Sequence, residues 1–156
     1  MRMKTSATAM GILRAVDFEE RIALTKRCYE LMNRGEHEGL LVDLWAEDIV
    51  VADPSRPDAS SADGLWRGHD GCRRYSADWV EAFDESSFEP EQFFEAGEGL
   101  VVRSLGRARA HASGIEVENR RFHALRFRDG RVVWFGVHED LDEALADASQ
   151  PAERPS

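Results

Sequence analysis

Cysteine is scarce in this chain: Cys28 and Cys72 are the only two in 156 residues. They lack the pair-of-pairs spacing of a zinc site and offer no disulfide framework. Each falls inside a predicted amphipathic helix, so they read as buried free thiols of a cytoplasmic protein. Long hydrophobic runs are missing too, since no apolar stretch approaches the ~20 residues that a membrane helix needs. Positive charge is in short supply: Lys and Arg total 20 against 30 acidic residues, a net charge of −10. Such a surface repels phosphate backbones and anionic lipid, which argues against nucleic acid and membrane as partners. The opening segment, "MRMKTSATAMGILRAV", is basic, but Lys, Thr, Ser and Gly interrupt its small apolar patch. It reads as a flexible leader over residues 1–16 and not as a signal peptide.

What is present is the composition of one soluble globular domain, 42% hydrophobic and 32% charged. A chain of this length can bury about 68–70% of its unfolded surface, enough for one core. Asp17 and Glu20 have capping-box spacing, and Phe18, Ile22, Thr25, Tyr29 and Met32 share a helical face. A first helix over Phe18–Asn33 follows, stopped at Gly35. Leu40, Leu41, Leu44 and Trp45 suggest a short second helix, and Ile49–Asp53 a strand ended by Asp-Pro. Ser55–Gly64 has loop chemistry. Beyond Gly68-His69-Asp70, the steps of three and four through Cys72, Tyr75, Trp79 and Phe83 predict a third helix.

The chain then changes character. "SSFEPEQFFEA", "GLVVRSLGRARAHA", "IEVENRRFHALRFR" and "RVVWFGVHE" are strand-like, and Asp129-Gly130 marks a hairpin. Asp140 to Ala148 predicts a closing helix, and residues 149–156 a disordered tail. Helices, then a meander, then a helix give an α+β domain over residues 17–148, a strongly curved and mainly antiparallel sheet. Three N-terminal helices would cover its hollow, with a short C-terminal helix behind, and apolar hollows bind small molecules.

The order of elements, with "YELMNRGEHEGLLVDLWAEDIVVADP", "GLWRGHDG", "SGIEVENRRFHALRFRDGRVV" and "HEDLDEAL", resembles the SnoaL-like family of the nuclear transport factor two superfamily. The resemblance implies a cone-shaped barrel shared by polyketide cyclases, ketosteroid isomerases, dehydratases and pure binding proteins. In the ketosteroid isomerase branch, a strand ending in Asp-Pro carries the aspartate that moves the substrate proton. Asp53-Pro54 matches that motif. His123, in "FHALRF", stands where that branch has a protonated carboxylic acid. The branch's tyrosine donor on the first helix falls at Cys28, and Tyr29 is rotated from it by about 100°.

By strand alternation Asp53 shares a face with Ile49 and Val51, and a carboxylate kept from water on an apolar face suits a general base. The alternative is an aspartate that caps a turn in solvent. His123 has Leu125 and Phe127 on one side of its face and Arg121 and Asn119 on the other. Placed opposite Asp53, its ring N–H would donate to a developing oxyanion; as a core histidine it would satisfy a backbone carbonyl. Phe135, Val137 and Glu139 alternate along the last strand, which brings Glu139 to the rim if that set faces inward. Trp45, Trp66, Tyr75, Trp79 and Phe83 come from elements that should wall the hollow and suit a flat apolar guest. On the strand from Leu100, the small residues Ser104, Gly106 and Ala108 leave room, while Arg103, Arg107 and Arg109 face the other way.

A metal site built from His111, His123, His138 and Asp53 lacks ligand spacing, so no metal and no cofactor is expected. The sequence thus points to a cytoplasmic, cofactor-independent isomerase, cyclase or lyase acting by proton transfer at carbon. Its guest would be a small hydrophobic metabolite that is cyclic or carries a carbonyl, and the protein a homodimer through its sheet. The alternative is a non-catalytic ligand-binding or interaction module with the same fold.

Overall fold

The computed structural model describes residues 16–56 and 60–152; most of the expected leader, the end of the tail and the middle of the Ser55–Gly64 loop lie outside the described residues. Helix α1 (Phe18–Asn33) opens with the predicted capping box: the Asp17 carboxylate accepts from the Glu20 N–H at 2.8 Å, and the Glu20 carboxylate from the Asp17 N–H at 3.2 Å. It ends at Gly35, which takes φ +73°, a conformation that favours a residue without a Cβ.

The predicted second helix is mostly something else. Helix α2 (His37–Gly39) is a single turn, a π-helical turn covers Leu40–Leu44, and Trp45 already begins strand β1 (Trp45–Ala52). β2 (Leu65–Arg67) precedes helix α3 (Gly68–Ala82), and Phe83 starts strand β3 (Phe83–Ala96) instead of ending the helix. β4 (Gly99–Ala110), β5 (Glu116–Arg128), β6 (Arg131–His138) and helix α4 (Leu141–Ala148) follow.

The six strands form one sheet in the order β2-β1-β6-β5-β4-β3, open at both edges and antiparallel except for the β1–β6 pair. Register shifts within β1–β6 and at two points of β3–β4 insert extra residues on one strand. Such bulges increase twist and bend the sheet into a curved wall. Its concave face carries the main core, in which Cys28, Ile49, Leu100, Leu125 and Val132 are fully enclosed beneath α1 and α3. Burying a side chain of that size is worth roughly 1.5–3 kcal/mol.

α4 covers the opposite face with small residues, Ala144 and Ala148 against Val101 and Ala124. The approach is so close that a Cβ on Gly99 would come within 2.1 Å of the Ala148 carbonyl oxygen. α1 is tied to the β3–β4 hairpin by Arg21, whose guanidinium donates to the carbonyls of Gly97 (3.2 Å) and Gly99 and to Glu95 (3.1 Å). The arginines of β4 pair within the chain, Arg103 with Glu91 (3.4 Å), Arg107 with Glu118 (2.9 Å) and Arg109 with Glu85 (2.8 Å), although Arg107, expected to face away, also reaches the hollow. Among the described residues, no helix is long and apolar enough to cross a membrane.

Candidate functional site

Between the concave face and the helices lies a cavity of ≈ 780 Å³. β1 delivers Asp53 to it. Ile49 and Val51 are buried on one side of the strand, and Asp53, one residue beyond its end, continues that side at 2% exposure. Its carboxylate is held at both oxygens. Oδ1 accepts from the Ser55 N–H at 3.1 Å and from the Ser55 hydroxyl, while Oδ2 accepts from the Tyr75 hydroxyl at 2.7 Å. The Asp53 carbonyl also accepts from the Arg56 N–H at 3.1 Å. The aspartate therefore braces a turn from a buried position on the cavity wall, and not in solvent as the turn-capping alternative had it.

β5 delivers His123, 5% exposed, to the same wall. Its ring packs 4.7 Å from that of Phe135. Burial pushes its pKa down from 6.5 to about 4; the Asp53 charge pulls the other way, and Arg121 and His138 add to the fall. His123 is thus neutral at pH 7. Its Nδ1 meets the Tyr29 hydroxyl, and burial drives the Tyr29 pKa upward so that the phenol keeps its proton. Ser104 is buried beside that hydroxyl, although its own oxygen meets no hydrogen-bond geometry among the described residues.

The chain has only two tyrosines. One bonds to His123 and the other to Asp53. Helical spacing alone rotates Tyr29 by about 100° from the expected donor position and makes Tyr75 an aromatic wall residue, so neither bond follows from it. The Tyr75 pKa is also raised, first by burial and then by the Asp53 charge, so it too stays a donor. A buried phenol needs a partner for its O–H. That requirement, applied to two tyrosines on helical faces predicted to be buried, is the signal that could have linked them to the polar groups of the sheet.

Trp45, Tyr75, Trp79, Phe83, Phe135 and Val137 all line the cavity. Trp66 and Glu139 do not. Trp66 is 1% exposed and packs edge-on behind Tyr75 at 4.8 Å, donating from its indole to Ser60 at 2.7 Å. Glu139 is exposed just past the end of β6, because that strand stops at His138. The histidines do not converge. His111 pairs with Asp84 at 2.8 Å, and His138 pairs at 2.7 Å with Asp147 of α4. No group of three or more His, Cys, Asp or Glu suited to a metal occurs among the described residues. Ser104, Gly106 and Ala108 line the cavity. Cys28 and Cys72 are buried free thiols, their pKa values pushed up to about 12 by burial. The described flank of the Ser55–Gly64 loop is tethered, with the Ser60 N–H donating to Asp78 at 2.8 Å.

Solved structures of the same fold include an NTF2-like protein of unknown function from Burkholderia pseudomallei. It is 26% identical, with a TM-score of 0.68 over 84% of this chain and 98% of that one. TerC co-crystallized with polyporic acid is 19% identical, with a TM-score of 0.68 over 81% and 98%. A Mycobacterium tuberculosis protein in complex with estradiol-17β-hemisuccinate is 13% identical, with a TM-score of 0.64 over 79% and 95%. At those last two identities the likeness shows the fold alone. No curated protein matches the chain. A family model described as the SnoaL-like domain matches residues 25–135, most of the chain and both Asp53 and His123, so the chain belongs to the SnoaL-like domain family.

Proposed function

We propose that the cavity is the active site of a cofactor-independent isomerase, cyclase or lyase that moves a proton at carbon. Its substrate is an apolar cyclic or carbonyl-bearing metabolite. The observation that carries this reading is a buried carboxylate and a neutral imidazole in the wall of one cavity, close enough for the Asp53 charge to act on His123. Asp53 takes the proton. Of the roughly four lone-pair positions on a carboxylate, Ser55 and Tyr75 fill three, which leaves one for the substrate C–H. Tyr29 donates to Nδ1 of His123, which puts the imidazole proton on Nε2, where it donates to the oxygen that gains charge as the carbon loses its proton. Trp45, Trp79 and Phe83 hold the flat body of the guest.

The same hydrogen bonds favour a second reading, a ligand-binding module, because three donors already engage the carboxylate and brace the turn, a structural role that needs no proton transfer. Mass spectrometry of the small molecule retained on purification supplies the substrate, and Asp53→Asn supplies the decision. Loss of turnover with retained binding supports the enzyme, and undiminished turnover removes Asp53 from the mechanism. We also propose a cytoplasmic homodimer assembled through the sheet, to be checked by sedimentation.

A further inference from the structure

The cavity runs against the charge of the whole chain. Although acidic residues outnumber basic ones by 30 to 20, arginines stand in its wall. Most wall charges are matched: Arg34 with Glu36 at 3.8 Å, Arg107 with Glu118 at 2.9 Å, Asp84 with His111 at 2.8 Å and Glu85 with Arg109 at 2.8 Å. Among the wall arginines, Arg56 and Arg121 are the exceptions, since neither has a carboxylate within ion-pair distance among the described residues.

Arg56 follows the Asp53 turn and lies over two aromatic rings, 5.1 Å from the centre of Trp79 and 5.9 Å from that of Phe83. Stacking fixes the plane of the guanidinium and leaves its N–H edge to a partner. That edge is poorly used. One Nη reaches the Asp78 carbonyl at 3.4 Å, and the buried Nε has no acceptor among the described residues. Buried donors are rarely left so.

Arg121 lies two residues before His123 on the same inward side of β5, about 7 Å along the strand. Its guanidinium donates to the neighbouring Arg120 carbonyl at 3.0 Å. It stands in register with Ser104, whose small side chain leaves space beside it. The Arg56 N–H donates to the Asp53 carbonyl and Arg121 lies two residues along the strand from His123, so one arginine is placed beside each half of the proposed pair.

We propose that the guest is an organic anion, a flat cyclic molecule bearing a carboxylate or comparably acidic oxygen that the guanidiniums of Arg56 and Arg121 receive. This deepens the preceding reading and rests on it for the cavity as the guest site. The two cations offset the repulsion between an anionic guest and Asp53. They also orient it, with the acidic oxygen at the guanidiniums and the uncharged ring edge toward the carboxylate and imidazole. Neutral hydrocarbons and esters of the same shape fill the cavity without that anchor and bind more weakly.

Quenching of the wall tryptophans, Trp45 and Trp79, by naphthoate and by its methyl ester tests this on the full chain. Naphthoate should bind at least about tenfold more tightly than the ester at low salt, an advantage that shrinks as ionic strength rises. The double variant Arg56→Gln, Arg121→Gln should bind both probes alike, and its undiminished ester binding serves as the control for folding. An ester that binds as tightly as the acid overturns the anion assignment while leaving the cavity and the proton-transfer reading standing, as does an advantage that survives in the double variant. If neither probe binds the wild-type protein, the guest-site reading goes with it.

Discussion

Acidification from pH 7 toward pH 4 should protonate His123 in the unfolded chain well before it does so in the folded protein. Burial sets the folded pKa at about 4 against 6.5 for an exposed imidazole. Above pH 6.5 both states are neutral at this position and stability is unaffected. Between the two values the unfolded state binds the extra proton, so stability falls as pH falls, by up to about 1.4 kcal/mol per pH step. The gap converts to a total of about 3 kcal/mol, complete once pH drops below the folded value. A loss of that size is a large share of the 5–15 kcal/mol typical of a domain.

The assay is urea denaturation across pH 4 to 8 for the wild type and His123→Gln, whose amide oxygen can still accept from Tyr29. Carboxylates elsewhere contribute to both curves and cancel in the difference. Asp147 acts mainly below this window. Its burial opposes ionisation, but hydrogen bonds from His138, Trp134 and Arg126 outweigh that and lower its pKa, so its contribution is present above the unfolded value and lost as pH falls through the folded one. The variant should show a shallower decline between pH 6.5 and 4. Equal slopes, or an NMR titration of His123 centred near 6.5, would refute the placement of a neutral imidazole in a dry wall.

Three further outcomes follow from the geometry. Tyr75→Phe removes a hydrogen bond to a charged acceptor, worth about 1.5–3 kcal/mol, and should lower the melting temperature and any turnover together. His123→Ala should reduce turnover on the order of 10²-fold if the ring stabilises an oxyanion, and a loss of only a fewfold would return it to a packing role. Gly99→Ala forces backbone against backbone, the Ala148 carbonyl at 2.1 Å, and should cost about 1–3 kcal/mol, whereas Gly39→Ala meets nothing within 4 Å and should be neutral or slightly stabilising by thermal melting.

Much of this architecture was legible in the chain because local chemistry and tertiary packing agree there. The Asp17–Glu20 box and the Phe18–Asn33 face describe one helix from both ends, and alternation put Asp53 with Ile49 and Val51. The errors occur where they diverge. Trp79 and Phe83 keep helical spacing and their rings pack 4.7 Å apart, yet the backbone turns extended at Phe83, where the long strand β3 begins its pairing with Ala110 of β4. The leucines from Leu40 fit a helix, but a π turn delivers Trp45 to the sheet. Spacing alone rotates Tyr29 by about 100° from Cys28 and takes it off the expected donor face. In fact α1 is enclosed over an arc wide enough to bury both, at 0% and 2% exposure. Face arithmetic locates a side chain on its own helix and says nothing of what the sheet raises to meet it. The pairing of Tyr29 with His123, 94 positions apart, and of Tyr75 with Asp53 belongs to that second kind of fact.

Strand β3 forms one border of the sheet over 14 residues, long enough to recruit a foreign strand. Pro90 has no N–H to offer, and two register shifts break the straight row of backbone groups. Midway, the Asn33 carboxamide occupies both backbone groups of Phe88, donating to its C=O and accepting from its N–H, each at 2.8 Å. A single side chain thus plays the part of a neighbouring strand at Phe88 and, together with Pro90 and the register shifts, makes this border a poor template for edge-on polymerisation.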